Sequence, residues 1–413
     1  MIKINNTLQV LAEELEAEVK DSILPYWISK TMDKTHGGFV ASLDNEGRPV
    51  SDVKSGILNT RLLWTFSAAY RILGDPRFLE MADYAMDTLK TSFIDPEFEG
   101  VYWSLSESGR VYDDKKHIYT QAFGIYGLSE YHQASGNTEA RKLAVDLFKK
   151  MDNLAWKGPD SGYHEAYSRD WKPLEDARLG SNDIEAERTF NTHLHLVEAY
   201  TCLYRSWPDE VLLQRLKDLV MIHFDYMYDA EQKHILSYFD SGLHAVSPVY
   251  SYGHDIEAAW LLYDAALEIQ DEELLKQCKQ LVLEIAHQTT REGVDPVNSG
   301  VFNLGEKGRP CDRNKQWWAQ AEALSGYLYA YQLSGDIGYL ETASNIWTFT
   351  KNHVIDPVHG EWFYLVDEKG TPFMDDGKVG PWKCPYHTSR AALMFAAVGK
   401  ELSGSTPFSI LNH

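Results

Sequence analysis

The chain has 413 residues, 44% of them hydrophobic, and a formal net charge of -22 at pH 7. This length allows either several ordinary domains or one large closed architecture. The strong negative charge, which no run of Lys or Arg offsets locally, argues against nucleic-acid partners and against binding to anionic membranes.

In chain order, the first predicted element is a helix from Leu8 to Ser29, in which apolar residues recur at helical spacing. The first nine residues contain no basic region leading into an apolar stretch. No later apolar run approaches the roughly 20 residues of a membrane span. We therefore expect a cytoplasmic protein.

After this helix, six short segments share one pattern: a turn, a glycine or small residue, alternating aromatic residues, and a second polar turn. They recur about every 65 residues, and such internal periods indicate a repeat architecture. Alternation between clusters of Gly, Asp and Pro predicts small β-hairpins. The fourth segment lacks the early glycine but fits by position. The segments are Asp33–Pro49, Asp95–Val111, Pro159–Pro173, Asp229–Val246, Pro296–Pro310 and Asp356–Pro372.

Pairs of predicted helices lie between the hairpins, for example Leu58 to Leu73 and Arg77 to Phe93. Helix stops such as Gly74-Asp75-Pro76 separate the two helices of a pair. The N-terminal helix and the last helix, Ser389 to Leu402, are both left without a partner. An open stack would need capping repeats, whereas pairing these two helices closes a ring. We therefore predict an all-α fold, an (α/α)6 barrel of six helix pairs with short β-hairpins on one face, as a single domain over residues 1–413.

In each unit the helix after the hairpin begins with a polar cluster, so we predict that these helices form the inner ring and that their clusters meet at one mouth. Asn191 and His195 share a helix face, whereas His193 points roughly the other way. His254 and Glu257, three residues apart, also share a face, so Glu257 can orient the imidazole or bind substrate. The clusters are Asn59–Arg61, His117–Gln121, Asn191–His195, Tyr252–Glu257, Trp317–Gln320 and Trp382–His387.

Each candidate also has a purely structural interpretation. A lone histidine in a helix is more often a hydrogen-bonded structural residue, although three at equivalent repeat positions favour function. Arg61 can be a stacked surface side chain, and we expect only one of Trp317 and Trp318 to face the interior. The His254-x-x-Glu257 pair resembles half a metal site, but a third and fourth ligand would have to come from elsewhere. A metal is therefore possible but not implied, and we assign no metal ligands.

The chemistry of these clusters favours proton transfer over hydrolysis. Glycoside hydrolysis requires two opposed carboxylates, and Asp255, Glu257 and Glu322 form no clear pair. Imidazole has the near-neutral pKa needed to remove a proton next to a carbonyl, and arginine can stabilise the enediolate oxygen. An epimerase or aldose–ketose isomerase is therefore favoured, with a glycosidase and a non-catalytic sugar-binding ring as alternatives.

The same clusters resemble the N-acylglucosamine 2-epimerase superfamily, and more closely its cellobiose 2-epimerases. The resemblance covers nearly the entire chain through ILNTRLLW, KHIYTQAFGIYGLSEY, NTHLHLVEAYT, SYGHDIEAAWLL, QWWAQAE and WKCPYH. It implies reversible inversion at C2 of a reducing-end glucose to mannose, through a cis-enediolate and without a cofactor. The chain reads HTSR from the last histidine, where the family is expected to read HNGR. A mannose/glucose 2-epimerase or a mannose isomerase is therefore the alternative.

The resemblance also implies roles for individual residues. His387 would be the base at C2, and His254 the acid/base that assists ring opening. His195 and Arg61 would hold and polarise O1 and O2. The expected substrate contacts are Tyr119, Asn191, Glu257, Trp317 and Trp382.

The sequence also predicts what covers the mouth, the kind of partner and the state of the cysteines. The stretch from Asp170 to Arg188 is longer than the other hairpin-to-helix connections, so we expect it to lie over the mouth. The partner is expected to be a small sugar, with no cofactor, and the protein a monomer or weak homodimer. The four cysteines show no CxxC spacing, so neither disulfides nor a zinc site is indicated.

Overall fold

Helices dominate the computed structural model, which describes residues 6–180 and 183–402. Among the described residues, no helix is long and apolar enough to span a membrane. The α-helices are α1 (Asn6–Ala17), α2 (Leu24–Thr31), α3 (Gly56–Leu73), α4 (Pro76–Thr88), α5 (Ile118–Ser135), α6 (Thr138–Ala155), α7 (Phe190–Ser206), α8 (Glu210–Ile222), α9 (Tyr252–Ile269), α10 (Glu272–Gln288), α11 (Trp317–Ser334), α12 (Ile337–Phe349) and α13 (Tyr386–Leu402). π-Helical segments join α1 to α2 and extend α4, α8, α10 and α12: Glu18–Ile23, Leu89–Phe93, His223–Met227, Thr289–Gly293 and Thr350–Val354.

Six of these helices form a closed inner ring. Each of α3, α5, α7, α9, α11 and α13 packs against the next, and α13 packs against α3. The outer helices α4, α6, α8, α10 and α12 each pack on the inner helix that precedes them, while α1 packs on α13 and α12. The predicted (α/α)6 barrel is therefore confirmed, including the pairing of the first helix with the last.

The helix ends follow from local capping, with small corrections to the predicted bounds. Gly74 ends α3 at a φ of +77°, a conformation that glycine adopts without steric cost. The Asp75 side chain then accepts a hydrogen bond from the Arg77 N–H at the start of α4. The last helix begins at Tyr386, directly after Pro385, and not at Ser389 as predicted.

The strands are short and all their pairings are antiparallel. They are β1 (Ser42–Leu43), β2 (Pro49–Ser51), β3 (Val53–Ser55), β4 (Ser104–Ser106), β5 (Val111–Asp113), β6 (Lys116–His117), β7 (Ala166–Tyr167), β8 (Arg188–Thr189), β9 (Tyr228–Asp229), β10 (His234–Ile235), β11 (Tyr238–Phe239), β12 (Tyr250–Ser251), β13 (Leu304–Glu306), β14 (Arg309–Asp312), β15 (Lys315–Gln316) and β16 (Leu365–Val366). In the third, fourth and sixth units the predicted hairpin is closed by single bridges, Tyr167–Pro173, Phe239–Ala245 and Val366–Pro372.

The strands also form a belt around the mouth of the barrel. The strand just before an inner helix pairs with the hairpin of the following unit, as in β3–β4, β6–β7, β8–β11, β12–β13 and β15–β16. A bridge between Leu43 and Val379 joins the last unit to the first. Because the belt runs directly into the inner helices, it fixes where each of their first turns begins.

A buried ion pair ties this belt to the turns in four of the units. A lysine shortly before the inner helix reaches an aspartate in the turn that opens the same unit. Sequence reasoning did not find these pairs. Breaking such a pair would leave an uncompensated buried charge, which is strongly destabilising. The pairs are Lys54–Asp33 (2.7 Å), Lys116–Asp95 (3.2 Å), Lys315–Asp295 (2.8 Å) and Lys378–Asp356.

Candidate active site

A cavity of about 540 Å³ opens at the mouth where the inner helices begin. This is within the usual size of a small-molecule site. All nine residues predicted from the sequence lie on its wall: Arg61, Tyr119, Asn191, His195, His254, Glu257, Trp317, Trp382 and His387. The structure therefore brings together residues from all six units of the repeat.

Helix register explains which side chains reach the cavity. The second residue of an inner helix faces it in α5, α7, α11 and α13, where it is Tyr119, Asn191, Trp318 and His387. Four residues further on, the same face is presented again. The sixth residue is Arg61 in α3, His195 in α7 and Glu257 in α9, all on the cavity wall.

The fourth residue of an inner helix points away from the cavity and anchors backbone. His193 is fully buried, and its Nε2 accepts a hydrogen bond from the Tyr163 N–H at 3.0 Å. Its Nδ1 lies 2.8 Å from the Thr189 carbonyl. Gln121 and Gln320 anchor backbone at the equivalent position. The side-chain oxygen of each accepts a hydrogen bond from the N–H of Val101 or Val301, and its Nε2 donates to the carbonyl of the same valine. His193 is thus a structural residue, and the prediction that it points away from His195 is confirmed.

His387 is held by a carboxylate from a neighbouring helix. Its Nδ1 lies 2.7 Å from Glu322 Oε1 and 3.7 Å from Glu257 Oε1. Burial, together with the Arg390 and Arg61 guanidiniums, lowers the pKa of His387 well below its usual value. The imidazole is therefore neutral at pH 7. With the Nδ1–H donated to Glu322, the unprotonated Nε2 remains for the cavity.

His195 is held in a parallel way. Its Nδ1 lies 3.0 Å from Glu198 Oε2, one helical turn further along α7. Burial alone would raise the pKa of Glu198, but Arg390 and His195 outweigh it and lower the value to about 2. The rings of Tyr119 and Phe123 pack on the imidazole at centroid distances of 5.1 and 4.7 Å. The orientation of this histidine is thus fixed from two sides.

His254 has a different environment. Within residues 6–180 and 183–402, neither of its ring nitrogens makes a hydrogen bond; the ring packs between Phe190 (5.5 Å) and Trp318 (4.7 Å). Burial lowers its pKa to about 3. The predicted option that Glu257 orients this imidazole is wrong, because Arg390 Nη2 donates to Glu257 Oε1 at 2.6 Å.

Glu257 instead belongs to a cluster with Glu322 and His387, whose potential ligand atoms lie within 4.8 Å of one another. Arg390 Nη2 donates to Oε1 of both carboxylates, at 2.6 and 2.7 Å, and so already supplies positive charge there. Burial and the neighbouring Glu322 raise the pKa of Glu257 to about 7. His254 is not a member of this cluster, so the structure does not pair it with Glu257 as the His254-x-x-Glu257 spacing suggested.

Arg61 is buried, with only 2% of its surface exposed, so the surface-stacking interpretation is wrong. Its guanidinium lies 4.2 Å from the centre of the Phe123 ring, and Nη2 donates to the Tyr119 hydroxyl at 2.7 Å. Its Nη1 points towards the Trp382 carbonyl at 3.4 Å and Cys384 Sγ at 3.7 Å. A fixed positive charge thus lies on the cavity wall.

Both tryptophans at the start of α11 line the cavity, so the expectation that only one would face it is wrong. The reason is that the cavity meets the end of this helix and not one of its sides. Trp317 packs on Tyr364 at 4.5 Å, whereas Trp318 contacts the rings of His254 and His387 at 4.7 and 5.5 Å.

A family model described as N-acylglucosamine 2-epimerase (GlcNAc 2-epimerase) matches residues 37–391. The chain belongs to this family. It is 40% identical to the cellobiose 2-epimerase of Bacteroides fragilis over 387 residues, which are 93% of this chain and 98% of the relative. It is 36% identical to the cellobiose 2-epimerase of Ruminococcus albus over 395 residues, 95% of this chain and 100% of that protein.

A solved structure shows the same relationship. The cellobiose 2-epimerase from Bacillus thermoamylovorans B4167 superposes with a TM-score of 0.89 at 34% identity, covering 94% of this chain and 99% of that one. The protein is therefore a carbohydrate epimerase and, by reaction class, an isomerase.

The long connection before α7 also contributes to the epimerase cavity, as predicted. Its described residues on the wall are Ala177, Arg178, Leu179, Asp183, Ile184 and Ala186. The Ala177 carbonyl lies 2.9 Å from Nε2 of His117, a buried residue just before α5. The segment is thus anchored to the belt while it covers part of the mouth.

Sequence reasoning did not select four residues that contact the cavity histidines or their glutamates: Glu198, Glu322, Trp318 and Arg390. Sequence spacing could have identified two of them. Glu198 follows His195 by three residues and Arg390 follows His387 by three, which places each pair on one helix face. Glu322 was noted as a carboxylate but not connected to His387. That contact joins α11 to α13, which local spacing does not reveal.

Proposed function

We propose that this protein is a 2-epimerase that inverts C2 of the reducing-end glucose of β-1,4-linked disaccharides such as cellobiose and lactose, giving mannose through a cis-enediolate and needing neither metal nor cofactor. The observation that carries the proposal is a pair of neutral imidazoles, His387 and His254, packed on the same tryptophan in a cavity that also holds the Arg61 guanidinium. The disaccharide substrate is suggested by relatives that are cellobiose 2-epimerases.

Ring opening comes first, since C2 becomes acidic only next to a free aldehyde. His254 takes the proton of the O1 hydroxyl and delivers a proton to the ring oxygen O5 as the C1–O5 bond breaks, which leaves an aldehyde at C1 and the imidazole neutral again. A histidine without competing hydrogen bonds is suited to this task, because both nitrogens are available to substrate oxygens.

His387 then removes the proton from C2. Nε2 accepts it, the C2–H electrons form the C1–C2 double bond, and negative charge moves to O1. Glu322 accepts the Nδ1–H at 2.7 Å and stabilises the imidazolium as it forms. A proton then returns to the opposite face of C2, from His387 after rotation about the C2–C3 bond or from a second histidine, and the C1–C2 double-bond electrons take it up as the C1 carbonyl re-forms, which gives the manno sugar.

Arg61 and His195 bind the oxygens on which charge develops. The guanidinium is buried and held in place by Tyr119 and Phe123, so it needs no reorganisation when the enediolate forms. In our proposal it polarises O1 and O2 together with His195. Removing one preorganised donor of this kind typically costs about 10²- to 10³-fold in kcat.

The remaining wall residues are proposed to orient the sugar. Asn191 Oδ1, Glu257 Oε2 and Trp317 Nε1 are buried and have no hydrogen-bond partner among the described residues. Such groups are costly unless a ligand or water satisfies them. Tyr119 and Trp382, with ring centres 5.8 Å apart, provide an aromatic surface on which a sugar ring can stack.

The test is proton NMR of cellobiose, lactose, mannose and glucose, each incubated separately with the protein in D2O, with and without EDTA. Deuterium at C2 with interconversion of gluco and manno forms, unchanged by EDTA, is the expected result for the disaccharides. Turnover of the monosaccharides alone would instead indicate a mannose/glucose 2-epimerase, and ketose as the main product would indicate an isomerase.

Two further outcomes would overturn the proposal. Glucose released from cellobiose or lactose would indicate a glycosidase, and no exchange at C2 with any of the four sugars would leave a non-catalytic ring. As a matched pair of variants, His387→Gln should abolish exchange while His244→Gln should not. The His244 side chain is 83% exposed and, within the described part of the chain, pairs only with the half-exposed Asp240.

A further inference from the structure

Beneath the substrate cavity, one guanidinium holds three carboxylates from three different helices. Arg390 lies in the second turn of α13 and is 2% exposed. Its Nη2 donates to Glu257 and Glu322 at 2.6 and 2.7 Å, and its Nη1 donates to Glu198 and to the Tyr386 hydroxyl. The glutamates belong to α7, α9 and α11.

Two of these carboxylates are the partners of cavity histidines. Glu322 is within 2.7 Å of His387 Nδ1, and Glu198 is within 3.0 Å of His195 Nδ1. An ionised carboxylate can only accept a hydrogen bond, so it selects the tautomer that carries its proton on Nδ1. The other nitrogen, Nε2, then has a free lone pair in each ring.

We infer that Arg390 is a positioning residue: by binding Glu322 and Glu198 together, it keeps both in the form that accepts Nδ1–H, so that His387 and His195 both present an unprotonated Nε2 to the substrate. The inference rests on the proposed function, because an unprotonated Nε2 matters only if these histidines transfer protons and bind oxygens of a sugar. Arg390 itself acts through the glutamates, since it is absent from the residues that line the substrate cavity.

The charge balance explains why this cation matters. Three buried carboxylates meet at Arg390. Burial raises the pKa of Glu322 and of Glu257, and the Arg390 guanidinium opposes both shifts. Without this cation the carboxylates would take up protons more readily. A protonated glutamate would offer an O–H to Nδ1 and move the histidine proton to Nε2. The imidazole could then no longer accept the C2 proton, although every side chain would stay in place.

Arg390 also has a second side, away from the substrate. Together with Glu198 it lines a smaller cavity of about 100 Å³ at the opposite part of the barrel interior, with Trp64, Tyr126 and Arg71. The layer of Arg390 and its glutamates thus separates the two cavities. A purely structural tie between α13 and its neighbours would predict lost stability on substitution but no change of tautomer.

The experiment combines histidine NMR with kinetics. Long-range ¹⁵N–¹H spectra of protein labelled at its 15 histidines report the tautomer of each ring, with His387→Gln and His195→Gln spectra used for assignment. The variants are Arg390→Gln, Arg390→Lys and Glu198→Gln. Arg71→Lys is the matched control, because Arg71 pairs with Glu130 at 2.7 Å and contacts none of the three histidines.

In the wild type at neutral pH, we expect the imidazoles of His387 and His195 both to carry their proton on Nδ1. Arg390→Gln should change both tautomers and lower kcat on the order of 10³-fold with KM nearly unchanged, since loss of a tautomer-fixing carboxylate in catalytic triads costs on the order of 10⁴-fold. Arg390→Lys keeps the charge and should restore much of kcat. Glu198→Gln should change the tautomer of His195 and leave that of His387 unchanged.

Unchanged tautomers in a folded Arg390→Gln protein, or Nε2-protonated rings in the wild type, would overturn the inference. If Arg390→Gln does not fold, Glu198→Gln decides: an unchanged His195 tautomer in that variant would contradict it. Absence of C2 exchange in the wild type is a separate result that refutes the proposed function, because the tautomers are read without any sugar present.

Discussion

Replacing Glu322 by glutamine removes one charge and almost no volume next to His387. In the resting protein the neutral imidazole loses a charge-assisted hydrogen bond at 2.7 Å, and such bonds contribute about 1.5–3 kcal/mol against about 1 kcal/mol for a neutral one. Once His387 carries the C2 proton, a full ion pair is lost, worth about 4 kcal/mol at 4 Å and an effective dielectric constant of 20.

Glu322→Gln should therefore raise the activation free energy of epimerisation by about 2–4 kcal/mol, which lowers kcat roughly 30- to 1000-fold. KM should change little, because the lost interaction strengthens only as the transition state forms. Initial rates of cellobiose epimerisation measure kcat and KM separately, and thermal unfolding checks that the variant folds.

Glu130→Gln is the control for this variant. Glu130 is also a buried carboxylate, 4% exposed, and pairs with Arg71 towards the other end of the barrel. A kcat for Glu322→Gln within about threefold of wild type, or a decrease that Glu130→Gln reproduces, would refute the assignment of Glu322 as the partner of the catalytic base.

Three further predictions follow from the site. His254→Gln should lower kcat by about 10²- to 10⁴-fold without altering the circular dichroism spectrum; near-normal turnover would remove it from the mechanism. Replacing residues 177–186 by a short Gly/Ser linker should raise KM more than it lowers kcat, and unchanged kinetics would show that the segment does not contact substrate. The raised pKa of Glu257, about 7 against 4.5, means that the folded state holds its proton more tightly than the unfolded chain. The stabilisation that this proton provides is thus present below pH 4.5 and is lost as the pH rises to 7, a change of up to about 3 kcal/mol in the free energy of unfolding. In urea unfolding, the free energy of unfolding of Glu257→Gln should therefore depend less on pH than that of the wild type. The same pH dependence in both proteins would contradict the assignment.

The repeat made most of the fold and the cavity predictable. Because each unit places its inner helix at the same point of the belt, residues at equivalent positions in six helices had to meet at one mouth. This reasoning located Arg61, His195 and His387 without any structure. It also separated His195 from His193, since two residues on a helix turn the side chain by about 200°.

The connections across the ring could not be predicted in the same way. Arg390 and Glu198 are 192 positions apart in the chain, and nothing in their local sequence shows that they touch. The buried pairs Lys54–Asp33 and Lys116–Asp95 each join a short strand to a turn about 20 residues earlier in the chain, a separation that neither helical nor strand spacing reveals. Trp318 was misjudged because helix-face reasoning does not hold at the end of a helix.

Closure of the ring limits how such a protein can change. An open helical array can gain or lose a repeat at small cost, because each unit contacts only its neighbours. Here a seventh pair would widen the circle and move every inner helix outward, so the distances that join Arg390 to three glutamates would all be lost together. The number of helix pairs therefore cannot change without loss of catalysis. New substrate preferences have to arise in the covering segment and the aromatic wall, which can vary while the six helices keep their spacing.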